Sequence, residues 1–167
     1  LHLRTLADSD RIRAELRPGG RLIVIGGGYV GLEVAASARG LGAEVTVVEA
    51  QPRVLARVAG PQVSAFYESV HREAGVQVLT GTGVQRVTCA AGRIVSVHLA
   101  DGQVLAADAV VAGVGMLPNV EVLAAAGVGF TGTDGINLWM QVADERSALL
   151  TLAAQGIGAA PGEPFMV

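Results

Sequence analysis

Residues 21–49 constrain the chain more than any other stretch. Leu22-Ile23-Val24-Ile25 is an apolar, β-branched run, as a parallel strand buried on both faces requires. Gly26-Gly27-Gly28-Tyr29-Val30-Gly31 follows at once and fits G-x-G-x-x-G. A helical stretch over 32–41 comes next, Gly42-Ala43 turns the chain, and a second strand over 44–48 ends at Glu49. Strand, glycine turn, helix and strand in this order predict a dinucleotide-binding βαβ unit.

Each residue type in that unit has a physical task. Gly26 permits the tight turn out of the strand. Gly28 has no Cβ, so the backbone can approach a pyrophosphate, and Gly31 lets the helix pack close to the strands. The helix N-terminus offers unpaired N–H groups and a partial positive charge to phosphates, and Tyr29 and Val30 within the motif are counted with the cofactor-binding residues. Glu49 follows Gly31 by 18 residues. A carboxylate there accepts hydrogen bonds from the adenosine ribose hydroxyls and repels a 2′-phosphate, which favours NAD over NADP. Arg53 and Arg57 come close behind. Arg53 either borders the adenosine, where it would also admit a 2′-phosphate, or is solvated charge. The glycine motif alone does not separate NAD from FAD, since both use this unit.

Composition excludes several classes. A chain of 167 residues with 51% hydrophobic and 16% charged residues can bury a sizeable core and is not disordered. Aromatics are few, at 4%, so that core must be mostly Val, Leu, Ala and Ile. A net charge of −3 gives no case for nucleic acid. No apolar run reaches the ~18–20 residues of a membrane span, and no secretory signal opens the chain. Leu1 in place of methionine suggests an excerpt of a longer chain, and a cytoplasmic setting is expected. Cys89, the single cysteine, excludes an internal disulfide, a C-x-x-C pair and a cysteine-based zinc site. No nucleophile–base pair or metal cluster is visible, so no catalytic residue is assigned.

The rest of the chain continues the α/β pattern. A first helix falls within 1–16, capped by Asp8 or Ser9, with Ile12 and Leu16 on one face. Gly60-Pro61 opens another over 62–73, where Val63, Phe66, Tyr67 and Val70 recur at helical spacing and should face the core; His71 reads as a surface residue. A third parallel strand follows at 76–79. Segments 84–89, 93–99 and 103–105 alternate and are separated by Ala91-Gly92 and Asp101-Gly102, predicting an antiparallel meander, with Cys89 and His98 in it. A last parallel strand at 106–112 runs into Gly113-Val114-Gly115, on the side where open parallel sheets bind ligands. A short helix is expected over 120–126. The fold class is therefore α/β: a Rossmann-like three-layer domain, a parallel sheet with an inserted antiparallel meander.

With these motifs placed, the chain resembles the NAD-binding domain of the pyridine nucleotide–disulfide oxidoreductases, closest to the flavin-dependent ferredoxin, rubredoxin and putidaredoxin reductases. RLIVIGGGYVGLEVAASARGLGAEVTVVEAQPRVLARV, SAFYESVHREAGVQVLTGTGV and VVAGVGMLPNVEVLAAAG carry the resemblance. It implies an NAD(H)-binding domain over 1–128 within a chain whose other parts hold FAD. NADH passes a hydride to the flavin, which hands electrons to an iron–sulfur carrier of the ferredoxin type. By resemblance, Gly26, Gly28 and Gly31 hold NAD, Glu49 the ribose, and Glu33, Gly113, Val114 and Gly115 the nicotinamide side. Glu33 reads equally as a solvated acid on the first helical turn. The tail, 129–167, resembles an altered return segment of an FAD domain, with Ile157 where the family has a flavin-binding aspartate. By itself the chain should bind NADH without turnover, and FAD should belong to the parent enzyme. A homodimer is one outcome, through the apolar face that the other domains would cover. Two readings compete: a non-catalytic dinucleotide-binding module that has lost the FAD half, and a flavoprotein whose glycine motif itself holds FAD.

Overall fold

The computed structural model describes residues 1–115, 130–131, 139–140 and 142–156. The chain divides into two units, Leu1–Val114 and Gly115–Val167. The boundary expected at residue 128 and the helix expected over 120–126 lie outside the described residues.

The first unit runs α1 (Leu6–Glu15), β1 (Arg21–Ile25), α2 (Tyr29–Gly40), β2 (Glu44–Glu49), α3 (Pro61–Glu73) and β3 (Gln77–Thr80). It continues with β4 (Val84–Ala90), β5 (Arg93–Leu99), β6 (Val104–Ala106) and β7 (Ala109–Ala112). Strands β3-β2-β1-β7 form a four-stranded sheet, parallel throughout, with Val24 opposite both Val47 and Val111. Strands β4-β5-β6 form the expected antiparallel meander.

The two-residue period of a strand divides the core between the two faces of the parallel sheet. On one face Leu22, Val24, Val45, Val47 and Val111 pack with Leu32, Val34, Ala35 and Ala38 of α2. On the other, Ile23, Val48 and Val110 pack with Val97, Leu99 and Ala107 of the meander segment. Val24 and Val47 are fully buried, each worth roughly 1.5–3 kcal/mol relative to exposure. Helices, parallel sheet and meander thus make the three layers of a Rossmann-like fold.

Three local expectations are corrected. The N-cap of α1 is Thr5, not Asp8 or Ser9. Asp8 stands at the third helical position and closes a capping box, its carboxylate accepting from the Thr5 N–H while the Thr5 hydroxyl accepts from the Asp8 N–H. Helix α2 begins at Tyr29, inside the glycine motif, because Gly28 is its N-cap.

The third correction concerns α3. Its buried residues are Ser64 and His71, Tyr67 is half-buried, and Val63, Phe66 and Val70 are exposed. Hydrogen bonding sets this rotation. The Ser64 hydroxyl donates to the Val54 carbonyl (2.6 Å). The His71 ring lies 2.8 Å from the Tyr67 carbonyl and 3.1 Å from the Leu32 carbonyl of α2. Val54 and Leu55 of the preceding loop fill the apolar space under the helix.

The second unit contains β8 (Phe130–Thr131) paired antiparallel with β9 (Trp139–Met140), and a helix α4 (Glu145–Ala154). Asp144 caps α4, accepting from the Arg146 N–H at 3.1 Å and from the Ser147 hydroxyl. Among the described residues no helix is long and apolar enough to cross a membrane.

Candidate functional site

The carboxyl ends of β1, β2 and β7 meet at the glycine turn. Gly26 leaves β1 with φ +104°, a conformation that favours glycine, and its N–H donates to the Val48 carbonyl at 2.8 Å. A Cβ on Gly26 would lie 2.5 Å from the Gly113 carbonyl oxygen. A Cβ on Gly31 would overlap the carbonyl oxygen of Gly26. Gly113 in turn donates to the Ile25 carbonyl at 2.7 Å, so the end of β7 lies directly against the turn. Internal packing therefore requires Gly26 and Gly31.

Gly28 differs. Its φ is −80° and ψ −178°, ordinary extended backbone open to any residue. A Cβ there would meet nothing within 4 Å. Among the described residues, nothing in the packing calls for glycine at this point. No side chain caps α2, so the amides of its first turn at Tyr29, Val30 and Gly31 lack a capping oxygen and face outward with the positive end of the helix dipole. Uncapped helix starts of this kind are where anions bind.

Glu49 is anchored at the edge of the turn. Its Oε2 accepts from the Gly27 N–H at 2.6 Å and its Oε1 from the Gln51 N–H at 2.7 Å. The carboxylate is only half-buried and retains lone pairs for further donors such as ribose hydroxyls. Gly27 is held on both sides, since its carbonyl accepts from the Leu55 N–H at 2.9 Å.

The remaining predicted residues are less uniform. Glu33 is an exposed carboxylate on the second turn of α2, just past the first turn. Tyr29 is half-exposed at the helix start, and Val114 is exposed beyond Gly113. Gly115, with φ +116°, belongs to the second unit. Arg53 is not the solvated charge that one of its two expected roles made it. Its guanidinium donates to the Ala56 and Ala59 carbonyls (3.0 and 2.6 Å) and to the Ser64 hydroxyl (2.7 Å). It is bound into its own loop rather than solvated. Arg57 is exposed. Gly27, Leu55 and Ser64 carry no sequence signal of their place at the turn, which follows from hydrogen bonds between segments.

A separate cleft of about 530 Å³ opens at the opposite, amino ends of β1–β3, bordered by Arg21, Glu44, Gln77 and Val104. It contains none of the glycine-turn residues. Open parallel sheets bind ligands beyond the carboxyl ends of their strands, so the glycine turn is the stronger candidate.

Comparison with known proteins identifies the family of the chain. The family described as pyridine nucleotide-disulphide oxidoreductase matches residues 1–146. The chain is 47% identical over 145 residues to putidaredoxin reductase from Pseudomonas putida, covering 86% of this chain and 34% of that protein. It is 44% identical over 127 residues to the ferredoxin–NAD(+) reductase component of the anthranilate 1,2-dioxygenase system of Burkholderia cepacia, covering 76% of this chain and 31% of that protein. The crystal structure of a covalent putidaredoxin reductase–putidaredoxin complex superposes with a TM-score of 0.72 at 48% identity, over 77% of this chain and 31% of that one. The chain thus spans about a third of the length of the relatives it matches.

Proposed function

The chain belongs to the pyridine nucleotide-disulphide oxidoreductase family, and on that footing we propose that residues 1–128 are the NADH-binding domain of a flavin-dependent ferredoxin reductase. The observation that carries this reading is Gly28, a glycine that the fold does not need, placed where a pyrophosphate needs bare backbone. Gly26 and Gly31 shape the turn, and the amides of Tyr29, Val30 and Gly31 bind the phosphates. Glu49, fixed by two backbone N–H groups, receives the ribose hydroxyls and rejects a 2′-phosphate. Gly113, Val114 and Gly115 border the nicotinamide side, and Glu33 stands on the exposed face of α2 as a polar neighbour. When bound, NADH would supply a hydride to FAD in the whole enzyme, whose two electrons would pass one at a time to an iron–sulfur carrier with release of the proton. Relatives named for putidaredoxin and for ferredoxin support that class of partner.

Paired calorimetric titrations with NADH and NADPH test the proposal. Saturable NADH binding, clearly tighter than NADPH, is expected, and Glu49→Gln should narrow the preference by about tenfold, the loss of one charge-assisted hydrogen bond. Tighter NADPH would overturn the assignment of Glu49, and failure to bind either nucleotide would overturn the domain assignment.

One sequence observation favours a second reading, a dinucleotide-binding module without electron transfer of its own. Ile157 stands where the family resemblance implies a flavin-binding acid. A yellow preparation with diaphorase activity would eliminate that reading.

A further inference from the structure

The loop between β2 and α3 holds one residue in a conformation it would not choose. Leu55 has φ +54°. An L-residue with a branched side chain keeps this left-handed backbone only where its surroundings enforce it. Its N–H is the group that donates to the Gly27 carbonyl in the glycine turn (2.9 Å), and its own carbonyl accepts from the Val58 and Ala59 N–H groups (3.0 and 2.9 Å). Leu55 is therefore the hinge pin between the loop and the turn.

The segment around Leu55 is held by the core that buries its side chain, by Glu68, which accepts from the Val54 N–H at 3.3 Å, and by Arg53 and Ser64. One guanidinium binds the carbonyls of Ala56 and Ala59, on the far side of Leu55, and the Ser64 hydroxyl. Ser64, 1% exposed, passes the contact on by donating to the Val54 carbonyl, immediately before Leu55. The clasp thus grips the loop on both sides of the left-handed residue and ties it to α3. Val54 completes the link, its Cγ1 standing 3.0 Å from where a Cβ on Gly27 would lie.

We propose that Arg53 and Ser64 are positioning residues for the dinucleotide site: their clasp holds Leu55 left-handed, and Leu55 in turn fixes the Gly27 peptide between its own N–H and the Glu49 carboxylate. The proposal rests on the nucleotide-binding reading of the glycine turn. It assigns the arginine behind the acidic strand end to the architecture of the turn and not to recognition of the adenosine. Without the clasp, Leu55 relaxes toward right-handed backbone and withdraws its N–H. Gly27 then keeps only one of its two anchors.

The test uses the 167-residue chain as wild type, Arg53→Ala, Arg53→Lys, Ser64→Ala and the double variant Arg53→Ala with Leu55→Gly. Three readouts are taken: calorimetric affinity for NADH and for NADPH, the melting temperature, and the amide resonance of Gly27 without nucleotide. Arg53→Ala and Ser64→Ala should weaken both nucleotides by the same factor, about tenfold, as misplacement of a binding group does, and should move the Gly27 resonance. Arg53→Lys, which keeps three donors on one ammonium, should recover part of the affinity. Glycine takes the left-handed conformation without strain, so the double variant should regain affinity over Arg53→Ala even as its melting temperature falls. A general loss of stability predicts the opposite order. A selective loss of NADPH in Arg53→Ala would overturn the proposal in favour of direct contact with a 2′-phosphate. An unmoved Gly27 resonance in Arg53→Ala, Arg53→Lys and Ser64→Ala would overturn it outright. If the wild type binds neither nucleotide, the nucleotide reading fails instead, and the Gly27 resonance still decides whether the clasp shapes the turn.

Discussion

Gly28 and Gly31 are three residues apart and answer to different demands. A methyl group on Gly31 would occupy the position of the Gly26 carbonyl oxygen, whereas one on Gly28 would enter open space. Gly31→Ala should therefore cost more than about 2 kcal/mol of stability, as overpacking against unyielding backbone does. Gly28→Ala should leave stability within about 0.5 kcal/mol of wild type. Its NADH affinity should nevertheless fall by at least about tenfold, because the methyl group stands where the pyrophosphate must lie. Urea unfolding and calorimetry on the two variants separate the two effects. Equal loss of stability in both would show that Gly28 also serves the fold.

At the level of elements, α3 shows where packing and hydrophobicity part company. Its buried residues are a serine and a histidine, while Phe66 is 64% exposed. Phe66→Ser should change stability by less than about 0.5 kcal/mol. His71→Ala should cost about 2 kcal/mol or more, since the ring is buried and bridges α3 to the Leu32 carbonyl of α2. Chemical denaturation orders the two variants directly. The βαβ unit and the meander were legible in the sequence, because a strand buried on both faces, an alternating strand and a glycine turn each leave a distinct pattern of residue types. The orientation of α3 was not, because it follows from hydrogen bonds made by Ser64 and His71 to carbonyls of other segments. Arg53 illustrates the same limit. Its position behind Glu49 gave no sign of its acceptors, carbonyls within its own loop and a hydroxyl 11 residues away. Glu49 was legible because its place is set by strand length alone, and its grip on the Gly27 N–H was not.

At the largest scale, β7, the last strand of the parallel sheet, is stapled to β1 by one ion pair. The Asp108 carboxylate accepts from the Arg21 backbone N–H (2.9 Å) and from its guanidinium (3.0 and 2.8 Å), and the Asp108 N–H donates to the Arg21 carbonyl (2.9 Å). Hydrogen bonding and the charge of Arg21 hold the Asp108 carboxyl well below the usual carboxylate range. Because the folded value lies below the unfolded one, the pair stabilises the fold above about pH 4, the ordinary carboxylate value, and that contribution is lost as pH falls through the folded value. Wild type should thus exceed Asp108→Asn in stability by a constant margin from pH 7 to about 5, and the margin should vanish in strong acid. Both side chains are about half exposed, so the margin should be modest and shrink in high salt. A margin that widens on acidification would contradict the assignment.

The indifference of the fold to Gly28 also bears on descent. As the N-cap of α2 with unstrained backbone, this position would accept serine or aspartate, and either would cap the helix slightly better than glycine does. A lineage released from its ligand would have every reason to drift there and none to drift at Gly26 or Gly31. On the nucleotide-binding reading proposed above, the middle glycine of the motif therefore answers to the ligand, while Gly26 and Gly31 answer to the fold.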